Sequence, residues 1–222
     1  MVFGETDAVG TFKTNARQLH QTLSRIHREN GGKIILLAHS KGGIDARYCL
    51  SKLDGGRHIG ALVTVCSPHR GSELADAVLE RFPRTSAVTR SLSRTIGRLF
   101  PDRRPAALDA VLGLTTADMA AFNAEVPDVP QVFFRSYYTE MAHAFDDLAL
   151  SPSYRLLKTR AGANDGIVSA RSAQWGESAQ LIEGVRGGIS HWEILDLKQR
   201  KISGISIPDV WVELARNAAL AL

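Results

Sequence analysis

The segment KIILLAHSKGG constrains the fold of this chain more than any other stretch of the sequence. Its first part, Lys33 to Ala38, is an apolar run without alternation, which is typical of a strand buried on both faces of a parallel sheet. Residues 42–53 return to helical spacing, so the chain must turn sharply at Ser40. Ala38 and Gly42 keep the positions two residues on either side small, as a tight turn requires. The segment therefore predicts a nucleophile elbow, with Ser40 at the carboxyl edge of the sheet.

An alternative interpretation of Ser40 is a helix N-cap, because serine is a preferred residue where a helix begins. Short glycine patterns recur by chance, so the motif alone has only moderate specificity. The apolar strand before the serine and the helix after it favour the elbow. In that setting the backbone N–H of Lys41, at the helix N-terminus, is placed to stabilise an oxyanion.

Further strand and helix patterns alternate along the chain. The β-rich runs are 61–66 (ALVTVC), 132–138 (VFFRSYY) and, more weakly, 180–185, and the helical patterns are 13–30, 42–53 and 209–222. Strands that alternate with helices predict an α/β fold, with a mostly parallel sheet covered by helices. A length of 222 residues fits one domain, so we expect a single domain over 1–222.

A long insert separates the second and third predicted strands, at about residues 81–126. It contains seven arginines between Arg81 and Arg104, together with an apolar helical pattern. A nucleic-acid interface would interleave aromatic residues with the arginines, and only Phe82 and Phe100 lie near them, so we expect no nucleic-acid partner. An insert of this length in a compact domain is typical of a lid, and the alternative is a solvated helix face.

A nucleophilic serine needs a base and a carboxylate, which on this kind of sheet follow it in the chain order Ser, Asp, His. Asp165 lies in the loop ANDGIV after the third predicted strand, and His191 lies in the loop GISHW after the fourth. We therefore predict Asp165 as the acid and His191 as the base. His39 adjoins the serine but is expected to point away from it. The alternatives are other loop carboxylates and histidines: Asp146, Asp147, Glu193, Asp196, His69 and His143.

Composition indicates what class of protein this is and whether disulfides, membrane spans or a signal peptide are expected. The chain is 44% hydrophobic and 23% charged, with a formal net charge of +4, which is ordinary globular composition. Cys49 and Cys66 are too few for a disulfide framework and are predicted to be buried thiols. No segment reaches the ~18 consecutive apolar residues of a membrane span, and MVFGETDAVG lacks a signal-peptide pattern, so a cytoplasmic location is the default expectation.

Three motifs resemble bacterial triacylglycerol lipases of the true-lipase group, within the α/β-hydrolase superfamily. They are LLAHSKGGIDARY, TVCSPHRGSELAD, and ANDGIVSARSAQWGE followed by ISHWEILDL. The resemblance extends from about Thr11 onward, and SPHRGS is more specific than the elbow itself. It implies Ser40 as nucleophile, Asp165 as acid and His191 as base, with no cofactor.

Some lipases of that group bind a structural calcium ion near the catalytic histidine. In this chain Glu193 stands where one carboxylate ligand would be, and Asp146 or Asp147 would be the source of another. Leu197 occupies a position where a polar side chain is expected. We therefore do not predict a metal from the sequence, and the site residues that the resemblance implies include no metal ligand.

The resemblance implies a serine carboxylic-ester hydrolase of lipase type, which cleaves acylglycerols or related esters through an acyl-enzyme. One alternative is a catalytically silent α/β-hydrolase domain, because a fold does not by itself imply an activity. A second alternative is an acyltransferase that passes the acyl group to an alcohol in place of water. The same three residues serve the hydrolase and the acyltransferase, so the sequence does not separate these two.

The resemblance also implies sheet strands and an oxyanion loop before the elbow strand. Residues 1–32 contain a helix pattern and no such strand, so we expect an N-terminally truncated lipase domain whose lost part carried those strands and any secretion signal. KIILLA would then be an edge strand with unpaired backbone groups, through which copies of the chain would associate. Loss of one oxyanion donor costs about 10²–10³ in turnover, so weak activity is expected.

Overall fold

The computed structural model describes residues 10–81, 113–176, 179–184, 187–196 and 204–222, together with residues 2, 4 and 6. The first three predicted strands fall wholly inside these ranges. The predicted lid is only partly inside them, and its arginine-rich segment lies outside the described residues.

Four parallel strands form one sheet in the described part of the chain. They are β1 (Ile34–His39), β2 (Ile59–Val65), β3 (Phe133–Tyr138) and β4 (Ala179–Leu181), in that spatial order. The predicted parallel sheet is therefore confirmed. β4 is shorter than the predicted 180–185, because it pairs with β3 over only Ser136 to Tyr138.

β1 lies at an edge of the described sheet. Residues 34–37 are only half-buried, whereas every residue of β2 is buried. The apolar run of β1 predicts burial on both faces, and the open edge explains why its burial is incomplete. Within the described residues, KIILLA is the edge strand that the sequence predicts, and self-association through that edge stays a prediction.

Helices connect the strands and cover the sheet. They are α1 (Phe12–Asn30), α2 (Lys41–Lys52), α3 (Glu73–Arg81), α4 (Thr116–Glu125), α5 (Ser151–Arg160), α6 (Ala170–Ala173) and α7 (Ile207–Ala219), with 3₁₀ turns at Gly55–His58 and Glu193–Leu195. α1 begins where the Thr11 hydroxyl accepts the N–H of Thr14 at 3.3 Å, and it ends at Gly31, whose φ of 65° is left-handed. None of the helices in the described ranges is long and apolar enough to cross a membrane.

Two apolar cores lie on opposite faces of the sheet. One joins α1 and α2 to the sheet through Leu23, Leu50 and Leu62. The other joins α7 to the sheet through Val63 and Leu214. Successive residues of a strand point to opposite faces, so β2 contributes to both cores. Because helices cover both faces, every residue of β2 is buried, in agreement with the β-rich run 61–66 from which the strand was predicted.

The end of the predicted insert packs into a third apolar core. Met119 and Phe122 of α4 are buried, and together with Val126 they pack in one cluster with Ile44 of α2. The Thr115 hydroxyl accepts the N–H of Asp118 at 3.0 Å, which caps the helix. Residues 113–126 therefore pack as part of the domain, and the lid stays a prediction for the insert before them.

Arg47 of α2 is almost fully buried, at 2% exposure. Its Nη1 donates to Asn123 Oδ1 at 2.7 Å, and its Nε lies 3.5 Å from Asp128 Oδ1. The guanidinium carbon lies 3.9 Å from the centroid of the Trp175 ring, a cation–π contact. Burial lowers the pKa of Arg47 to about 10, so the side chain stays charged at neutral pH. Arg47 therefore ties α2 to α4 and to the loops that carry Asp128 and Trp175.

Replacing Arg47 with methionine is expected to lower the free energy of unfolding by about 1–3 kcal/mol, because the buried carbonyl of Val126 and the half-buried side chain of Asn123 lose a charged donor. The matched control is Arg57→Met, which removes an ion pair with Asp54 whose side chains are 61% and 70% exposed. That change should cost less than about 1 kcal/mol. Urea unfolding, monitored by circular dichroism, gives the free energy of unfolding of both variants. Equal losses of stability in the two variants would contradict a structural role for Arg47.

Candidate active site

Ser40 occupies a sharp turn between β1 and α2, as the sequence predicts. Its φ of 53° and ψ of −133° lie in a region that residues other than glycine rarely adopt. The Ser40 N–H donates to the carbonyl of Val65 at 2.9 Å, which ties the turn to the end of β2. α2 begins at Lys41, the next residue. The backbone therefore presents Ser40 at the carboxyl edge of the sheet.

The turn depends most on a glycine that the sequence motif does not single out. A Cβ on Gly42 would lie 4.0 Å from the Cβ of Ala38, which is an ordinary contact. A Cβ on Gly43 would overlap the Ser67 side chain, 2.8 Å from its Cβ, and would lie 3.0 Å from Thr64 Cγ2. The absence of a side chain at Gly43 therefore lets the first turn of α2 pack against the end of β2.

Gly43→Ala is expected to destabilise the protein by about 1–3 kcal/mol, because the added methyl group overpacks the contact with Ser67. Gly42→Ala is the matched control, since its methyl group has room and alanine favours a helix over glycine by about 0.5–1 kcal/mol. Thermal unfolding of the two variants should move in opposite directions. A Gly43→Ala variant as stable as the parent would contradict this account of the turn.

The structure brings Ser40, His191 and Asp165 together in one chain of hydrogen bonds. His191 Nε2 lies 2.9 Å from Ser40 Oγ, and His191 Nδ1 lies 2.7 Å from Asp165 Oδ2. The three residues come from the turn after β1, the loop before α6, and the loop after β4. Asp165 is 1% exposed and His191 is 3% exposed, so solvent screens their interaction weakly.

Asp165 is oriented by its own loop. Its Oδ1 accepts the N–H groups of Ile167 at 2.9 Å and Val168 at 2.7 Å, which leaves Oδ2 for His191. The Asp165 carbonyl also accepts the His191 N–H at 2.9 Å. A carboxylate only accepts hydrogen bonds, so His191 Nδ1 carries a proton and Nε2 is the acceptor for the Ser40 hydroxyl. The arrangement fixes both the ring orientation and the tautomer of His191.

The alternative carboxylates support the loop that carries His191. Asp146 Oδ2 accepts the N–H of Gly188 at 3.1 Å, as well as two N–H groups of its own loop. Asp147 Oδ2 accepts the Ser190 hydroxyl at 3.0 Å, and Glu193 Oε2 accepts the Ser190 N–H at 3.0 Å. These carboxylates therefore hold the backbone on either side of Ser190.

Lys41 follows Ser40 and is the first residue of α2, where backbone N–H groups have no acceptor within the helix. Its ammonium group donates to Asp45 Oδ1 at 2.7 Å, one turn further along the helix. Asp45 also accepts the side-chain N–H of Asn15 in α1 at 2.7 Å. Burial raises the pKa of Asp45, and Lys41 and Asn15 offset part of that rise. These contacts fix the first turn of α2 against α1.

Two further residues adjoin the hydrogen-bonded chain, and neither was assigned a role from the sequence. The ring of His39 packs on the ring of His191 with 4.6 Å between centroids, and burial lowers the pKa of His39 well below its usual value. Cys66 follows β2 as Ser40 follows β1, and its φ of 52° is also left-handed. Cys66 Sγ lies 3.2 Å from Thr139 Oγ1, and burial together with the charge of Asp165 raises the thiol pKa.

The remaining candidates lie apart from this chain of hydrogen bonds. His69 is buried, with its Nε2 at 2.9 Å from Thr64 Oγ1 and its ring stacked on Trp175 at 5.7 Å between centroids. Its carbonyl accepts the Asn123 side chain at 2.8 Å, which links SPHRGS to α4. His143 is exposed. The prediction that Cys49 and Cys66 are free and buried is confirmed.

The chain is similar to proteins whose names describe lipases and esterases. Triacylglycerol lipase 2 of Saccharomyces cerevisiae is 27% identical over 206 residues, which cover 91% of this chain and 56% of the yeast protein. A metagenomic carboxyl esterase superposes with a TM-score of 0.76 at 22% identity, over 100% of this chain and 66% of that chain. The mature form of a Bacillus licheniformis lipase gives a TM-score of 0.62 at 21% identity, over 92% of this chain and 74% of that chain. No protein-family model matches the sequence.

These likenesses identify the fold. The parallel sheet covered by helices is that of the lipase and esterase structures, so the predicted α/β-hydrolase fold is confirmed. The chain spans about half the length of the curated yeast relative that it matches.

Proposed function

We propose that this chain is a serine carboxylic-ester hydrolase of lipase type, with Ser40, His191 and Asp165 as its catalytic triad. The observation that carries the proposal is the hydrogen-bonded chain from Ser40 Oγ through His191 to Asp165 Oδ2, at 2.9 and 2.7 Å. The strained backbone of Ser40 supports it, because strain of this kind concentrates at functional sites. The similarity to a yeast lipase and to esterase and lipase structures adds support from an independent direction.

The reaction proceeds in two halves. Ser40 Oγ attacks the ester carbonyl while His191 Nε2 accepts its proton, and His191 then passes that proton to the departing alcohol. Water attacks the resulting acyl-enzyme with the help of the same base. Asp165 holds the imidazole in the required tautomer and stabilises the imidazolium, because its Oδ2 accepts the Nδ1 proton. This chemistry needs no cofactor.

The tetrahedral intermediate carries negative charge on the former carbonyl oxygen. We assign the backbone N–H of Lys41 as a donor to that oxyanion, since it follows the nucleophile and lies at the N-terminus of α2. The ion pair between Lys41 and Asp45 holds this first turn in place without using the backbone N–H. Lys41 thus contributes through its backbone, and its side chain has a supporting role.

The names of the relatives support lipid esters or small esters as the substrate class. Acylglycerols or related lipid esters suit a chain similar to a yeast protein named as a triacylglycerol lipase, and small esters suit the likeness to a carboxyl esterase. Within the lipases, the motif resemblance supports membership of the bacterial true-lipase group. Acyl transfer to an alcohol uses the same triad and is an outcome of the test below.

The test is an assay of the purified chain on p-nitrophenyl esters of increasing acyl length and on an emulsified triacylglycerol. We expect saturable release of nitrophenol and of fatty acid. An added alcohol acceptor separates the two reactions, because a transferase forms the new ester in preference to free acid. A folded chain that releases no acid and forms no ester would contradict the proposal and would favour a silent domain.

A further inference from the structure

Three potential ligands for a thiophilic metal ion meet beside Ser40. One nitrogen from His39, the sulfur of Cys66 and one nitrogen from His191 all lie within 4.8 Å of one another. The first two residues lie where β1 and β2 end, and His191 lies on the loop after β4. Among the described residues, this is the group of three or more histidine, cysteine and acidic side chains that is compact enough to hold a metal ion.

An unpartnered histidine nitrogen among these residues is a second, independent observation that points to a bound ligand. His39 Nε2 is buried and has no hydrogen-bond partner among the described residues. Buried polar atoms are nearly always satisfied, so an orphaned imidazole nitrogen calls for a partner. The proposed hydrolysis does not use His39.

We propose that His39, Cys66 and His191 form a binding site for a thiophilic divalent cation of the Zn²⁺ class. Two imidazole nitrogens and one thiolate sulfur are the donors that Zn²⁺ prefers, and three protein ligands leave a fourth tetrahedral position for water. The Cys66 S–H bond breaks as the sulfur–metal bond forms, and its proton leaves to solvent. Cd²⁺ takes the same donors, and it reports on the thiolate spectroscopically.

Metal binding has a direct consequence for the proposed hydrolase. Both ring nitrogens of His191 belong to the chain of hydrogen bonds, Nε2 to Ser40 and Nδ1 to Asp165. A metal bond at either nitrogen therefore replaces one of these two hydrogen bonds. The cation is an inhibitor in this account, and that part of the inference rests on the proposed function.

The binding test uses the chelator-treated 222-residue chain and Cd²⁺ alone. A cadmium–thiolate bond gives an ultraviolet charge-transfer band, and only Cys49 and Cys66 can supply the thiolate. We expect the band to saturate at one equivalent of Cd²⁺ for the parent chain and for Cys49→Ser, and to be lost in Cys66→Ser. Cys49 is the matched control, because it is equally buried and lies outside the group.

His39→Gln keeps the proposal testable if Cys66→Ser fails to fold, as judged by circular dichroism. That variant should bind Cd²⁺ at least about tenfold more weakly, since one of three ligands is gone. No band in the folded parent chain, an unchanged band in Cys66→Ser, or unchanged affinity in His39→Gln would overturn the site. Because these measurements need no substrate, they are independent of whether the chain hydrolyses esters. Zn²⁺ should displace Cd²⁺ and inhibit hydrolysis, with recovery when chelator is added.

Discussion

Ser40→Ala is expected to lower kcat/KM for p-nitrophenyl esters by about 10⁴-fold or more, because it removes the attacking atom. The fold should survive, since alanine is smaller than serine and the Ser40 backbone N–H, which bonds Val65, is retained. Steady-state kinetics, with enzyme purified away from contaminating esterases, measure the loss. Thermal unfolding checks that the variant is intact.

A matched control for that change is Ser153→Ala in α5. Its hydroxyl donates to the carbonyl of Leu150 at 2.9 Å, away from the hydrogen-bonded chain. We expect its kcat/KM to stay within about twofold of the parent, because the Ser153 hydroxyl takes no part in the hydrogen bonds among Ser40, His191 and Asp165. Substantial turnover in a folded Ser40→Ala variant would contradict the assignment of the nucleophile.

Asp165→Asn is expected to reduce kcat by about 10⁴-fold, because it stabilises the wrong tautomer of His191. The N–H groups of Ile167 and Val168 require an acceptor at the Oδ1 position, so the new amide NH₂ must face His191 Nδ1. The imidazole then protonates at Nε2 and can no longer accept the Ser40 proton. His191→Ala should lose about as much activity as Ser40→Ala, because triad members act as a unit.

Asp147→Asn serves as the control for the carboxylate assignment. Asp147 Oδ2 accepts the Ser190 hydroxyl at 3.0 Å, and a hydroxyl can rotate to accept from an amide instead. The loop should hold, and we expect less than a tenfold change in kcat. Pre-steady-state and steady-state kinetics measure kcat for both variants and show which carboxylate supports catalysis. A larger loss in Asp147→Asn than in Asp165→Asn would reverse the assignment.

The elbow and its sheet could be predicted because their signals are local. An apolar run, a serine and two glycines are adjacent in the chain, so the strand, the turn and the start of α2 follow from spacing alone. Asp165 and His191 are far from Ser40 in sequence, but chain order on a parallel sheet indicated which loops would meet. That prediction therefore rested on the expected sheet topology, because no sequence pattern encodes the contacts among the three residues.

Other features depend on contacts between segments that no local pattern encodes. Gly43 matters more than Gly42 because Ser67, from the end of β2, lies against it. Arg47 looks like a solvated residue of an amphipathic helix, and it is buried because α4 and Trp175 pack over it. His39 was expected to point away from the serine, and its ring packs against His191 because the end of β1 meets the loop that follows β4.

The central claim is that Ser40 is a nucleophile activated by His191. Labelling with a fluorophosphonate probe tests it most directly, because the probe reacts with an activated serine and leaves other hydroxyls unmodified. We predict one adduct per chain, mapped to Ser40 by peptide mass spectrometry, absent from Ser40→Ala and strongly slowed in His191→Ala. A folded parent chain that gains no adduct, or gains it on another residue, would contradict the claim.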